Sequence, residues 1–369
     1  MEDIVRWRRD LHKIPELGLK EEKTAIYLRN ELTKMGYQYE SIIGTGTIVY
    51  IDHNKEETLA FRSDIDALEI TEKNDIDFKS THVGCMHACG HDGHMSALLG
   101  LAKRLKTIEQ PKYNYLLVFQ PAEESPGAAK DVVETGIFEK YHVKAIFGMH
   151  LMPFLDEGII ACKSGPLMAE CAELDVTIHG KSAHAGLAHE GIDSIVIASE
   201  LIQGYQNIVS RMISPFSPVV INIGTIEGGF ARNSVASSVT LRGTIRCYDE
   251  AVFQKISDQI NKLHQGIETT YDCQIEATFP PMYPPLINDD SVYKRFYQLV
   301  DKDHYCELKE PLMLAEDFAF YQKAIPGLFF YLGVKTEQYQ SGLHTETFNF
   351  NEAVLNKAVD LYELIAREY

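Results

Sequence analysis

A chain of 369 residues with 53 acidic against 35 basic side chains carries a formal charge of −18. That negative surplus works against nucleic acid or an anionic membrane surface as a partner, because both are bound through basic patches. Hydrophobic residues at 45% and charged residues at 24% give the balance of a folded globular protein, and the length exceeds what one core usually fills, so two domains are expected.

From the N-terminus, Met1 to Arg9 is charged and no apolar run follows, so no secretory leader is expected. Arg6 to Leu11 and Glu21 to Met35 have amphipathic helical spacing, the second stopping at Gly36. Ile43 to Ile51, Thr58 to Arg62 and Tyr115 to Phe119 read as strands, with a helix from His94 to Leu105 between them and a short apolar run at Ala145 to His150. This alternation predicts an α/β layer around a largely buried sheet.

The middle of the chain follows another pattern. Strands are predicted at Glu173 to His179, Val219 to Ile226, Val235 to Arg246 and Cys273 to Thr278, with helices at Gly191 to Val209 and Glu250 to Ile267. The order β-α-β-β-α-β is that of a ferredoxin-like α+β unit. A proline-rich run, Phe279 to Pro285, punctuates the chain, after which a strand at Leu328 to Leu332 and a helix at Asn351 to Glu368 resume the α/β pattern. The predicted architecture is therefore a mixed-sheet α/β domain, residues 1–170 and 281–369, interrupted by a smaller α+β domain, residues 171–280. No run approaches the roughly 20 apolar residues that span a bilayer. The seven cysteines are odd in number and scattered, which suits reduced thiols and a cytoplasmic setting better than a disulfide framework.

The densest polar cluster is His87-Ala88-Cys89-Gly90-His91-Asp92-Gly93-His94. Thiolate and imidazole are ligands for zinc and its neighbours in the transition series, and Cys89 and His91, two apart just before a helix, can converge on one ion. Asp64 and Asp66 end a predicted strand, where α/β sheets build their sites, and a carboxylate there can orient a ligating imidazole. Glu123 and Glu124 follow another strand. A metal-activated hydrolase needs one carboxylate to bind the ion and one to move a proton, and adjacent glutamates can divide those tasks. Taken singly, His150 and His344 are more often structural, and the turns holding His184 and Asn233 would be ordinary hairpin loops.

Together these segments resemble the amidohydrolase branch of the aminoacylase/carboxypeptidase clan of metallopeptidases, which includes hippurate hydrolases, auxin-conjugate hydrolases and N-acetyldiaminopimelate deacetylases. The resemblance runs through Arg9 to Gly18 with Glu22 and Thr24, Asp64 to Leu68, Met86 to His94, Gln120 to Glu124, Glu316 to Phe318 and Gly342 to His344. It implies that Cys89, His91, Glu124, His150 and His344 bind two divalent ions, with zinc, manganese, cobalt and nickel all compatible with that donor set. It further implies Glu123 as the general base, Asp64 and Asp66 as residues that orient the ligands, and His184 and Asn233 as groups that meet the substrate carboxylate or oxyanion. The inserted domain would be a lid and dimerisation domain, giving a homodimer. Two departures stand out: Ser234-Val235-Ala236 lacks the proline that usually follows Asn233, and Glu69 occupies a position that is commonly proline.

The expected reaction is hydrolysis of an N-acyl amino acid, N-acetyl-diaminopimelate foremost, or else of a short peptide by a dipeptidase or carboxypeptidase with the same metals. A non-catalytic binding protein would be expected to have lost the base or a ligand, and both are present. A closed structural zinc module would use local ligand pairs, and these ligands are dispersed.

Overall fold

The computed structural model describes residues 2–369; Met1, which opens the charged N-terminal segment, lies outside them. The chain divides into two compact units, one formed by the chain up to Leu167 with Ile287–Glu310 and Glu316–Tyr369, the other by Met168–Leu286 with Pro311–Ala315.

The first unit is built on an eight-stranded mixed sheet. Its first six strands are β1 (Glu40–Ile42), β2 (Gly46–Ile51), β3 (Thr58–Asp64), β4 (Asn114–Gln120), β5 (Val143–Asp156) and β6 (Ile160–Cys162), and Tyr305–Glu307 and Gly327–Lys335 complete it. The spatial order is β1-β2-β4-β3-β5, then Gly327–Lys335, β6 and Tyr305–Glu307. The four central strands run parallel, with Asp64 paired to Gln120 and His150 to Tyr331. Parallel strands are covered on both faces, so their sequences are continuous rather than alternating. Every residue of β3 and of β4 is buried accordingly.

Helix α1 (Glu2–His12), helix α2 (Glu22–Lys34) and helix α3 (His91–Leu105) flank this sheet with the closing helix Leu355–Glu368. Ile4, Trp7, Leu98, Leu101, Leu355 and Val359 join one apolar core with Phe61, Leu117 and Phe147 from the strands. At Gly100 of α3 an added Cβ would lie 2.5 Å from Val359 Cγ2, so the absence of a side chain sets how closely the closing helix approaches.

The second unit holds a four-stranded antiparallel sheet in the order Gln274–Thr278, Glu170–His179, Ser238–Cys247, Val219–Gly228, with Pro281–Tyr283 added against Glu170–His179. Helices Ser194–Asn207 and Glu250–Tyr271 supply Ile197, Leu201, Tyr205, Ile256 and Ile260 to a core shared with Leu174, Val176, Ile178 and Leu241. Asp193 and Asp249 cap these helices by accepting backbone N–H groups. The strand Val219–Gly228 is an edge. Among the described residues, no helix is long and apolar enough to cross a membrane.

Candidate metal centre

The parallel strands deliver their C-terminal ends to one place. Asp64 ends β3, the chain leaving β4 reaches Glu123 and Glu124, and β5 carries His150. Gly90 brings Cys89 and His91 there as well. Its φ of +90° places it in the left-handed region at the start of α3, so the chain can turn sharply from Cys89 into a helix whose first residue is His91. His344 arrives on a loop with a φ of +58°, uncommon for a residue with a side chain, and its N–H is held by the Ala88 carbonyl at 2.9 Å.

Cys89 Sγ lies 3.3 Å from His150 Nε2 and 3.3 Å from His344 Nε2. Two groups of donor atoms share this sulfur: Cys89 with His91 and His150, and Cys89 with Glu124 and His344, each within 4.8 Å. His344 Nε2 is 3.1 Å from Glu124 Oε1. The ring nitrogens facing away are already committed. His91 Nδ1 donates to the Asp66 carbonyl at 2.9 Å, and His150 Nδ1 donates to the Leu151 carbonyl at 2.7 Å. Both Nε2 lone pairs therefore face the cluster, each ring being turned by the carbonyl that its other nitrogen binds. His94 differs, because its Nδ1 donates to Asp64 Oδ1 at 2.7 Å and its Nε2 accepts the Leu151 N–H at 3.0 Å. With both nitrogens used by the protein, His94 supports the site and offers nothing to an ion.

Two observations test whether divalent ions fit here. His91 Nε2 is buried and without a hydrogen-bond partner among the described residues, which is costly unless something else satisfies it. The surroundings also hold more negative than positive charge. Asp64, Asp66, Glu123, Glu316 and Asp317 are buried, with Arg62 a buried guanidinium beside three of them. Cations suit both features.

Titration follows from the same geometry. Burial pushes the Cys89 thiol well above its ordinary value, and Glu124 and Glu123 add to the rise. Burial likewise pushes Glu123 well above the usual carboxylate range, reinforced by Glu316 and Glu124. For Glu124 burial acts in the same direction, but His344 and His91 outweigh it and hold the carboxyl below its ordinary value. His91 is pushed up to about 10, because Asp64 and Asp66 overcome the effect of burial. Bound cations would oppose the proton at each of these positions.

Asp64 and Asp66 lie beside this cluster. Asp64 is held by Arg62 Nη1 at 2.9 Å and by His94, and Asp66 Oδ2 accepts the Glu124 N–H at 2.9 Å. His184 and Asn233 belong to the second unit, on exposed neighbouring loops joined by the Ala185 N–H to the Asn233 carbonyl at 3.0 Å.

Sequence reasoning passed over Arg62. It donates Nε–H to Gln120 Oε1 at 2.8 Å and reaches Asp64, Glu316 and Asp317 with its other nitrogens. Glu316 and Asp317 in turn share a space within 4.8 Å with Glu123. The available signal was a lone arginine inside the apolar run Thr58–Asp64, since a buried guanidinium requires several acceptors.

A sequence profile of peptidase family M20/M25/M40 matches residues 60–368. The chain is 38% identical over 366 residues to an N-acetyldiaminopimelate deacetylase of Bacillus subtilis, covering 97% of this chain and 96% of that one. It is 37% identical over 374 residues to an N-acetyldiaminopimelate deacetylase of Exiguobacterium sibiricum, covering 100% of each. A crystal structure of a dinuclear metal-binding peptidase of the M20 family from Bacillus subtilis superposes with a TM-score of 0.85 at 31% identity, covering 98% of this chain and 96% of that chain.

Proposed function

The chain belongs to peptidase family M20/M25/M40 and is a metal-dependent amidohydrolase, and from that premise we propose that it removes the acyl group from N-acyl amino acids, N-acetyl-diaminopimelate first among them. The observation that carries the reading is the thiol of Cys89 common to two donor groups, with the buried His91 Nε2 unpartnered beside it.

In this reading Cys89, His91 and His150 hold one divalent ion, and Cys89, Glu124 and His344 hold the other, the ions being zinc, manganese, cobalt or nickel. When bound, such ions polarise an amide carbonyl and lower the pKa of a water towards about 7. Glu123 is the proton carrier. Buried beside Glu316 and Asp317, its carboxyl holds a proton readily, so it can take one from the attacking water and return it to the departing amine. Asp66 keeps its role through the Glu124 N–H and the His91 ring, and Asp64 through His94.

His184 Nδ1 accepts the Gly186 N–H at 3.1 Å, which leaves a proton on Nε2 to donate to an oxyanion or carboxylate. Asn233, on the adjoining loop, is assigned the same substrate end. The second unit is assigned as lid and dimerisation domain, with its edge strand Val219–Gly228 as the pairing surface. A cytoplasmic setting accords with seven cysteines that form no disulfide among the described residues.

The test strips the protein of metal, restores zinc, manganese, cobalt or nickel in turn, and compares N-acetyl, N-benzoyl and dipeptide substrates. Turnover of N-acyl amino acids above dipeptides supports the proposal. Preference for dipeptides would make the enzyme a peptidase, and silence with every metal and substrate would overturn the catalytic assignment.

A further inference from the structure

The motif Pro15-Glu16-Leu17-Gly18 has so far no chemical task, yet it forms one wall of a cleft of about 380 Å³ inside the first unit. The motif is tied to the site loops from both sides. The Ala67 N–H donates to the Glu16 carbonyl at 2.8 Å, and Glu16 Oε2 accepts from the Thr24 N–H at 2.9 Å and the Thr24 hydroxyl at 3.1 Å. A Cβ added to Gly18 would stand 2.2 Å from the Ser125 carbonyl oxygen, so only glycine allows this segment to lie against the turn after Glu124. The inner end of the cleft reaches Asp66 and Glu124. Its outer end carries Lys20 and Glu69, both exposed and, among the described residues, with neither side chain in an ion pair.

We propose that this cleft is a subsite for the far end of the substrate's side chain, and that the group it takes is a second free α-amino acid, its carboxylate held by Lys20 and its ammonium by Glu69. The inference rests on the reading that Glu124 belongs to a centre hydrolysing N-acyl amino acids. A cleft of this size falls in the range of roughly 300–1,000 Å³ typical of small-molecule sites. Two opposite unpaired charges at one mouth discriminate by sign. A lone carboxylate meets Lys20 but is repelled by Glu69, a lone ammonium meets the reverse, and an apolar end satisfies neither. Only a zwitterion satisfies both.

The test uses the metal-loaded enzyme with N-acetyl-diaminopimelate, N-acetyl-2-aminopimelate, which lacks the far ammonium, and N-acetyl-norleucine, which lacks both charges. Free diaminopimelate is titrated calorimetrically in parallel. Exposed charge pairs carry modest energies, so Lys20→Met and Glu69→Gln should each lower the kcat/KM ratio of N-acetyl-diaminopimelate over N-acetyl-norleucine by about five-fold, through KM. Glu69→Gln should at the same time improve N-acetyl-2-aminopimelate. The Kd of diaminopimelate should weaken by a similar factor in both variants. An unchanged ratio and unchanged Kd in both variants overturn the subsite while leaving hydrolysis intact. Absence of turnover with every substrate, with diaminopimelate still weakened by both variants, would instead overturn the hydrolase reading and keep the subsite.

Discussion

Glu123 is buried beside Glu316 and Asp317, whereas Glu124 faces His344 Nε2 at 3.1 Å and shares a donor group with Cys89. Neighbours in sequence, they meet opposite electrostatic conditions: burial and carboxylates raise the first, and histidines lower the second. Glu123→Ala should therefore lower kcat by about 10²–10⁴-fold, the usual yield of general acid–base catalysis, while metal content measured by mass spectrometry stays at the wild-type level. Glu124→Ala should lose metal. The reverse pattern would show the two tasks exchanged. Arg62 governs the same neighbourhood from beneath, joined to Asp64, Gln120, Glu316 and Asp317. Arg62→Met leaves three buried carboxylates without their cation, which should cost about 3–5 kcal/mol in urea unfolding. Arg62→Lys keeps the charge but not the planar fork, and an intermediate loss is expected. A wild-type midpoint for Arg62→Met would remove the arginine from any structural role.

At the scale of elements, what was legible in the sequence depended on burial. Strands β3 and β4 could be read directly because Leu59-Ala60-Phe61 and Tyr115-Leu116-Leu117-Val118-Phe119 are apolar without interruption. Helix α3 begins at His91, earlier than the predicted His94, because its first turn is polar and its register is set by tertiary partners: Asp92 binds Arg8 Nε at 2.9 Å and His12 Nδ1 at 2.8 Å. No local pattern encodes such partners. The segment of Cys89 and His91 was legible for a related reason, since the two are close in sequence, whereas His344 lies 255 residues from Cys89 and only the fold brings them together. In the second unit the two helices meet through a polar pair, with the Tyr205 hydroxyl 2.7 Å from His264 Nε2. Burial pushes His264 down to about 4, with Glu268 opposing. The folded protein thus takes up this proton less readily than the unfolded chain, whose histidine titrates near about 6.5. The contribution is complete above about pH 6.5, is lost as pH falls towards about 4, and changes no further below that, with a slope of at most about 1.4 kcal/mol per pH unit. His264→Gln keeps a hydrogen-bonding side chain without the titration, so its unfolding midpoint should vary less with pH over this window. Equal slopes for the two proteins would assign the acid sensitivity elsewhere.

For the whole molecule, a formal charge of −18 opposes association of like chains, so any assembly must rest on a surface where apolar contact and backbone pairing prevail. The edge strand Val219–Gly228 meets that condition. Its outer side has no strand partner among the described residues, and Val220 and Ile226 on it are exposed, with Phe216 and Phe230 exposed just beyond its ends. Exposed edges of this kind are usually blunted by a charge or a proline, and this strand carries Glu227 near one end and none in its centre. Two copies joined edge to edge by a two-fold axis would extend the four-stranded sheet across the contact and cover the four apolar side chains at once. The chain should therefore sediment as a dimer at micromolar concentration. Placing a lysine on the edge, Ile226→Lys, should shift it towards monomer, because a charge then stands where apolar contact is needed. Unfolding midpoints of the variant should show whether the subunit itself survives. If the wild-type protein sediments as a monomer, or if Ile226→Lys remains as dimeric as wild type, the edge strand is not the interface.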